Sequence, residues 1–198
     1  MVLVNTMLPG AGKRGLRADI LSRRRAVPAG QRDAEAKALA GACSELDLPA
    51  DPVVCAYVPV GSEPGSMAML DALLARGAQV LLPVTRAGAA LAWGHYRPGA
   101  LAPAERGLLE PTGPPEGPET IGRAGMILVP ALAVDRHGNR LGRGAGYYDR
   151  SLPLAAPGTH LIAVVRDDEL LDRLPAEVHD VPMTHALTPT AGIVGLGR

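Results

Sequence analysis

Aromatic side chains are scarce in this sequence. Among 198 residues there is no phenylalanine, one tryptophan (Trp93) and four tyrosines. A surface that stacks unpaired RNA bases needs several exposed aromatics, so that class is excluded. An excess of either charge is also lacking, because twenty Lys and Arg balance twenty Asp and Glu. Zero net charge argues against a nucleic-acid partner, which would need a broad basic surface, so any phosphate recognition must be local. No apolar run approaches the roughly 20 residues of a membrane-spanning helix, so no membrane partner is expected. Residues 1–10 lack a basic start and are interrupted by Asn5 and Pro9. They make a poor secretory signal, and the cytoplasm is the expected compartment. Two cysteines, Cys43 and Cys55, cannot form a disulfide framework for a domain of this size and read as small buried hydrophobes. Lysine occurs only at positions 13 and 37, so a retained lysine is slightly more informative than usual.

What is present is a core-forming composition. Hydrophobic residues make up 47% of the chain and charged residues 20%, enough apolar material to exclude a disordered tail. The length predicts one domain over residues 1–198, with its core at about 13–188, and a monomer is expected. Helical spacing predicts a basic helix over 13–25, with Leu16, Ile20 and Leu21 on one face and Arg23, Arg24 and Arg25 at the surface. Pro28 opens a second helix that runs past Leu39 to Leu46, and Pro49 and Pro52 end it. Residues 53–58 read as a buried strand, 67–76 as a helix closed by Gly77, and 79–83 as the next strand. Strand, helix, strand within about thirty residues is a βαβ unit, so the sheet should be at least partly parallel. Further strands are expected at 91–96, 126–129 and 161–165, a short helix at 170–174, and an edge strand at 186–188. Residues 98–118, rich in Pro and Gly, read as a long loop.

The most informative stretch is Asp135-Arg136-His137-Gly138-Asn139-Arg140-Leu141-Gly142-Arg143-Gly144-Ala145-Gly146-Tyr147-Tyr148-Asp149-Arg150. Glycines alternate at 142, 144 and 146, just ahead of a predicted helix. Glycine permits positive φ and lets a ligand approach the backbone closely. Consecutive amides there can form an anion nest, aided by a helix N-terminus, while Arg140 and Arg143 add charge. Asp149 in the first turn is suited to a metal ion. These features point to phosphate with magnesium; an ordinary glycine turn with a first-turn acid is the alternative. Tyr147 stands where the dinucleotide fingerprint needs glycine, and Arg14 and Met7 break the Walker pattern ending at Gly12-Lys13, so both standard phosphate motifs fail. Lys13 and Arg17 share a helix face, where an anion between them would relieve their repulsion; a solvated basic face is the alternative. Glu63 follows the first strand, at the end where α/β sheets bind ligands, and is suited to the amide and amine groups of a heterocycle. His179-Asp180 invites a metal phosphohydrolase, but His137, His160 and His185 show no ligand spacing. Asp180 remains open as a second magnesium carboxylate.

At these residues the sequence resembles the 5-formyltetrahydrofolate cyclo-ligase family. The segment Val129 to Asp135, continuing through Gly138, Arg140 to Gly144 and Gly146 to Arg150, resembles the family's signature. Weaker markers follow the same order: Lys13-Arg14-Gly15-Leu16-Arg17, Tyr57 through Glu63, Leu82-Pro83, Gly107 to Pro111, and Leu174-Pro175, Glu177, His179-Asp180 and Thr188. The sequence departs from the pattern at Val134, Thr184 and Pro189. The resemblance implies an α/β single-domain three-layer Rossmann-like fold with a mostly parallel sheet, similar to ribose-phosphate isomerase and CoA-transferase relatives. It implies an enzyme using ATP and Mg2+ on a small-molecule substrate, 5-formyltetrahydrofolate. Lys13, Arg14, Gly15, Leu16 and Arg17, with Arg140, Leu141, Gly142, Arg143, Gly144, Ala145, Gly146, Tyr147 and Tyr148, would bind ATP. Val58 and Glu63, with Arg143 to Tyr147, would bind the folate. Asp149 and Asp180 would hold the metal, and Arg143 and Tyr148 would act in catalysis. A non-catalytic folate- or nucleotide-binding paralogue is the alternative.

Overall fold

A computed structural model describes residues 12–48, 51–175 and 180–197. Residues 1–10, Pro49, Glu177 and His179 lie outside the described residues. In chain order the elements are α1 (Lys13–Ala26), α2 (Ala29–Glu45), β1 (Val53–Cys55), α3 (Met67–Ala75), β2 (Gln79–Val84), β3 (Ala92–His95), β4 (Leu101–Pro103), β5 (Leu109–Pro111), β6 (Met126–Pro130), β7 (Ala133–Asp135), β8 (Arg140–Leu141), α4 (Tyr147–Ser151), β9 (His160–Val164), β10 (Leu170–Leu171), β11 (His185–Thr188) and β12 (Gly192–Gly195).

The main sheet has seven strands in the order β12-β11-β9-β6-β1-β2-β3. β2, β1, β6, β9 and β11 run parallel; only the outer strands β3 and β12 are antiparallel. β6 and β9 are continuous apolar runs because parallel strands are covered on both faces. The period of two sorts their side chains. Val54, Leu82, Leu128, Ile162 and Val164 join Leu39 and Cys43 of α2 and Leu70 and Leu73 of α3. Cys55, Leu81, Ile127, Val129 and Ala163 join Trp93, Ile121 and Leu152 on the other face. A smaller core under α1 gathers Leu16, Ile20, Leu132, Leu141 and Leu174. Both cysteines are free and buried, and burial pushes the Cys43 thiol up to about 12.

Several local expectations change. β1 ends at Cys55 instead of 58: Ala56 N–H still bonds Leu81 O, but the ladder then gives way ahead of Pro59, which has no N–H to donate. The stretch 98–118 is not structureless, since β4 and β5 form a hairpin within it and Glu116 bridges Trp93. Residues 170–174 are not helical, because Leu170 and Leu171 pair in parallel with Val134 and Asp135. β11 is not an edge, because the Gly-flanked Ile193 and Val194 of β12 cover it. Arg24 is not at the surface. It lies four residues after Ile20 on the buried face of α1, 1% exposed, where Glu169 accepts two of its hydrogen bonds at 2.6 and 2.7 Å and Ala131 O a third at 2.6 Å.

Candidate active site

From β1 the chain steps outward to β2 and β3, then returns to β6 on the other side of β1 and continues to β9 and β11. The strand order therefore reverses between β1 and β6, and open α/β sheets bind ligands beyond the carboxyl ends of the strands at such a point. A cavity of about 510 Å3 lies there. Tyr57, Val58, Val60 and Glu63 beyond β1, Thr85 beyond β2, and Ala131 beyond β6 line it. The glycine-rich loop supplies another wall: Arg140, Gly142, Arg143, Gly144, Ala145, Gly146, Tyr147, Tyr148 and Asp149.

That loop is aimed by Asp135, which is fully buried at the end of β7. Its Oδ1 accepts the amides of His137 and Asn139, and its Oδ2 accepts Asn139 Nδ2 and the Leu174 amide. The turn brings β8 back beside β7 and delivers Arg140 to the cavity. Gly138, at φ +90°, tolerates no Cβ, which would stand 2.4 Å from Met183 O. Gly144 and Gly146 take φ +96° and +72°, a region that L side chains rarely adopt. Among the described residues, the amides of 142–146 donate to no backbone carbonyl, and these five residues line the cavity, a combination suited to an anion nest. α4 has only five residues, so its dipole adds little, contrary to the sequence expectation. The positive character of this wall comes from the loop amides and the arginines.

Arg140 donates to Asp149 Oδ1 at 2.6 Å and lies 5.7 Å from the Tyr148 ring centroid. Burial draws its guanidinium below its ordinary range, against the charges of Asp149 and Asp180. Arg143 pairs through Nε with Glu63 Oε1 at 3.0 Å. With Arg106 the lining carries three arginines against Glu63 and Asp149, one positive charge in excess on a neutral chain. The Tyr148 hydroxyl is buried and has no hydrogen-bond partner among the described residues. Burial, and then the charge of Glu63, push its ionisation well above the ordinary phenol range, so it stays a proton donor.

Of the remaining candidates, Lys13, Arg14, Gly15, Leu16, Arg17, Leu141 and Asp180 do not line the cavity. Arg17 Nε donates to Gly142 O at 2.9 Å and so touches the loop. Lys13 Nζ meets Asp180 Oδ2 at 3.3 Å. Leu16 and Leu141 are buried in the core under α1, while Arg14 and Gly15 are exposed, with the Gly15 amide bonded to Gly12 O. Sequence reasoning missed Arg106, the hairpin-tip arginine at φ +57°. It also missed Arg150, which braces the loop through Ala89 O and Ala145 O and stands 5.4 Å from the Tyr147 ring centroid. The hairpin between two prolines was the available signal for the first.

These features define a mostly parallel α/β protein with an arginine- and glycine-rich loop walling a part-apolar cavity at the switch point. The sequence profile of the 5-formyltetrahydrofolate cyclo-ligase family matches residues 9–189. The chain is 61% identical over 189 residues to the 5-formyltetrahydrofolate cyclo-ligase of Mycolicibacterium smegmatis, covering 93% of this chain and 97% of that one. It is 27% identical over 141 residues to the 5-formyltetrahydrofolate cyclo-ligase of Escherichia coli, covering 69% and 78%. The solved 5,10-methenyltetrahydrofolate synthetase of Aquifex aeolicus matches with a TM-score of 0.72 at 26% identity, over 94% of this chain and 93% of that one. The synthetase of Mycoplasma pneumoniae shares the fold at a TM-score of 0.69 and 18% identity, over 87% and 96%. The chain belongs to the 5-formyltetrahydrofolate cyclo-ligase family, a family of enzymes.

Proposed function

We propose that this protein cyclises 5-formyltetrahydrofolate to 5,10-methenyltetrahydrofolate, using ATP with Mg2+ and releasing ADP and phosphate. The observation that carries this reading is the two-sided cavity. One wall is the amide and arginine loop, suited to a triphosphate. The other, from Tyr57 to Glu63 with Leu91 and Leu108, is suited to a flat heterocycle with donor groups. We read the chain as one Rossmann-like domain acting as a cytoplasmic monomer, with a fold akin to ribose-phosphate isomerase and CoA-transferase relatives.

An N-formyl amide resists ring closure because its oxygen is a poor leaving group. In the proposed reaction that oxygen attacks the γ-phosphorus of ATP and ADP departs. N10 then attacks the imidoyl carbon, phosphate leaves with the former formyl oxygen, and the departing phosphate takes up the N10 proton. Positioning and charge stabilisation do most of the work in phosphoryl transfer, so no protein nucleophile is needed. The loop amides with Arg140 and Arg143 hold the phosphates, and Lys13 and Arg17 approach from α1. Val58 and Glu63 hold the folate. The unpartnered Tyr148 hydroxyl, sealed as the cavity stands, would turn toward the cavity to donate to the formyl oxygen and orient it. Asp149, 58% exposed, and Asp180 both act on Arg140, and these hard oxygen donors fit Mg2+, which takes one or two carboxylates beside substrate phosphates and water. When bound, the ion neutralises charge on the transferring group.

The departures Val134, Thr184 and Pro189 do not line the cavity. Val134 is buried, and Thr184 hydrogen-bonds Leu161 at the amino end of β11, the far end of the sheet. They give no support to a non-catalytic paralogue. The test is to incubate the protein with 5-formyltetrahydrofolate and MgATP. Methenyltetrahydrofolate absorbance, ADP and free phosphate should rise in equal amounts. Binding without product would favour the paralogue, and a lasting phosphorylated product would indicate a kinase.

A further inference from the structure

We propose that Glu63 and Arg143 form a latch across the cavity, through which folate binding frees Arg143 for the nucleotide and makes the two substrates bind cooperatively. This rests on the assignment of the two walls given above. Arg143 Nε pairs with Glu63 Oε1 at 3.0 Å, and its Nη2 donates to Val60 O at 3.4 Å. The other carboxylate oxygen, Oε2, accepts the Val60 amide at 2.9 Å, and the Glu63 amide bonds Val60 O at 3.2 Å. A loop arginine is thus held by two of its three nitrogens on the opposite wall.

Exposure decides which arginine is gated. Asp149, the partner of Arg140, is 58% exposed, so water can receive it if Arg140 turns to a phosphate. Glu63 is 12% exposed. Withdrawing Arg143 alone strands a nearly buried carboxylate, which is unfavourable. Nucleotide by itself therefore recruits Arg143 poorly. A heterocycle presenting N–H groups to Glu63 replaces the guanidinium, and Arg143 is released. Linkage requires the reverse effect to be equal, so nucleotide tightens folate binding by the same factor.

The test is calorimetric titration with the β,γ-imido analogue of ATP and Mg2+, with and without saturating 5-formyltetrahydrofolate. The wild-type protein should bind the analogue about tenfold more tightly with folate present, within the usual range of such couplings. Glu63→Gln keeps the size of the side chain and an acceptor for Val60 but loses the ion pair. Its folate-free affinity should rise towards the wild-type folate-bound value, with little further gain on adding folate. Arg143→Gln should abolish the folate-dependent gain. Independent binding of the two ligands by the wild-type protein, an unchanged or weaker folate-free affinity in Glu63→Gln, or a gain that survives in Arg143→Gln would each overturn the latch alone. A Glu63 that serves only the folate gives that unchanged affinity. Wild-type protein that binds neither ligand would overturn the functional reading with it.

Discussion

Arg24 and Arg140 each hold a carboxylate at 2.6 Å, Glu169 for the first and Asp149 for the second. Around Arg24 both partners are sealed, at 1% and 2% side-chain exposure. Around Arg140 the guanidinium is 9% exposed but its carboxylate is 58% exposed. The first pair has nowhere to send either charge, so its removal is a matter of folding. The second can release its carboxylate to water and accept an anion in its place, so its removal is a matter of chemistry. Contact distance does not separate the two; what surrounds the partner does.

The largest expected effect lies in the sealed pair. Arg24→Ala strands Glu169 and the Ala131 carbonyl, and should lower the unfolding free energy in urea by about 3–5 kcal/mol. A loss below about 1 kcal/mol would erase the contrast with Arg140. Arg140→Ala should do the opposite. Turnover should fall about 100-fold or more, while stability changes by roughly 1 kcal/mol or less. A matching collapse of stability would move Arg140 into the structural class. Asp149→Asn sharpens the comparison on the open side. The Mg2+ concentration for half-maximal rate should rise about tenfold, the equivalent of one charge-assisted contact, with the urea midpoint little changed. An unchanged Mg2+ dependence would remove Asp149 from the metal site.

The smallest effect concerns the far end of the sheet, where His160 and His185 have ring centroids 5.1 Å apart. Burial, and then the neighbouring His160 charge, hold His185 below the ordinary imidazole range. The unfolded chain therefore takes the proton first as pH falls. Stability present above about pH 6.5 is lost as pH drops through the lower native value. Urea midpoints at pH 8 and pH 5 should show this loss, and His185→Gln should reduce it. An undiminished loss would place the acid sensitivity elsewhere.

Much of this architecture was readable from local pattern. The apolar runs of β6 and β9 mark buried parallel strands, and Gly77 caps α3 as its position implies. The alternating glycines before Tyr147 mark the cavity wall, because L side chains rarely adopt the φ of +96° at 144 and +72° at 146. Failures came where pairing overrode local preference. Leu170 and Leu171 look helical but meet Val134 and Asp135 in a ladder. The strand at 186–188 looks like an edge but is covered by Gly192–Gly195. Arg24 sits in a run of three arginines that reads as solvated, and only the register of α1 against Glu169 buries it.

By itself the sequence determined the βαβ order, the two-faced strands, the positive-φ glycines and the family, since these depend on backbone freedom and on periodicities of two and 3.6 that neighbouring residues carry. The tertiary structure alone decided which charges meet. Arg143 meets Glu63 from a distant segment, and Lys13 reaches Asp180 across 167 positions. Ion pairing depends on distance and on how much water remains around each partner, and folding sets both.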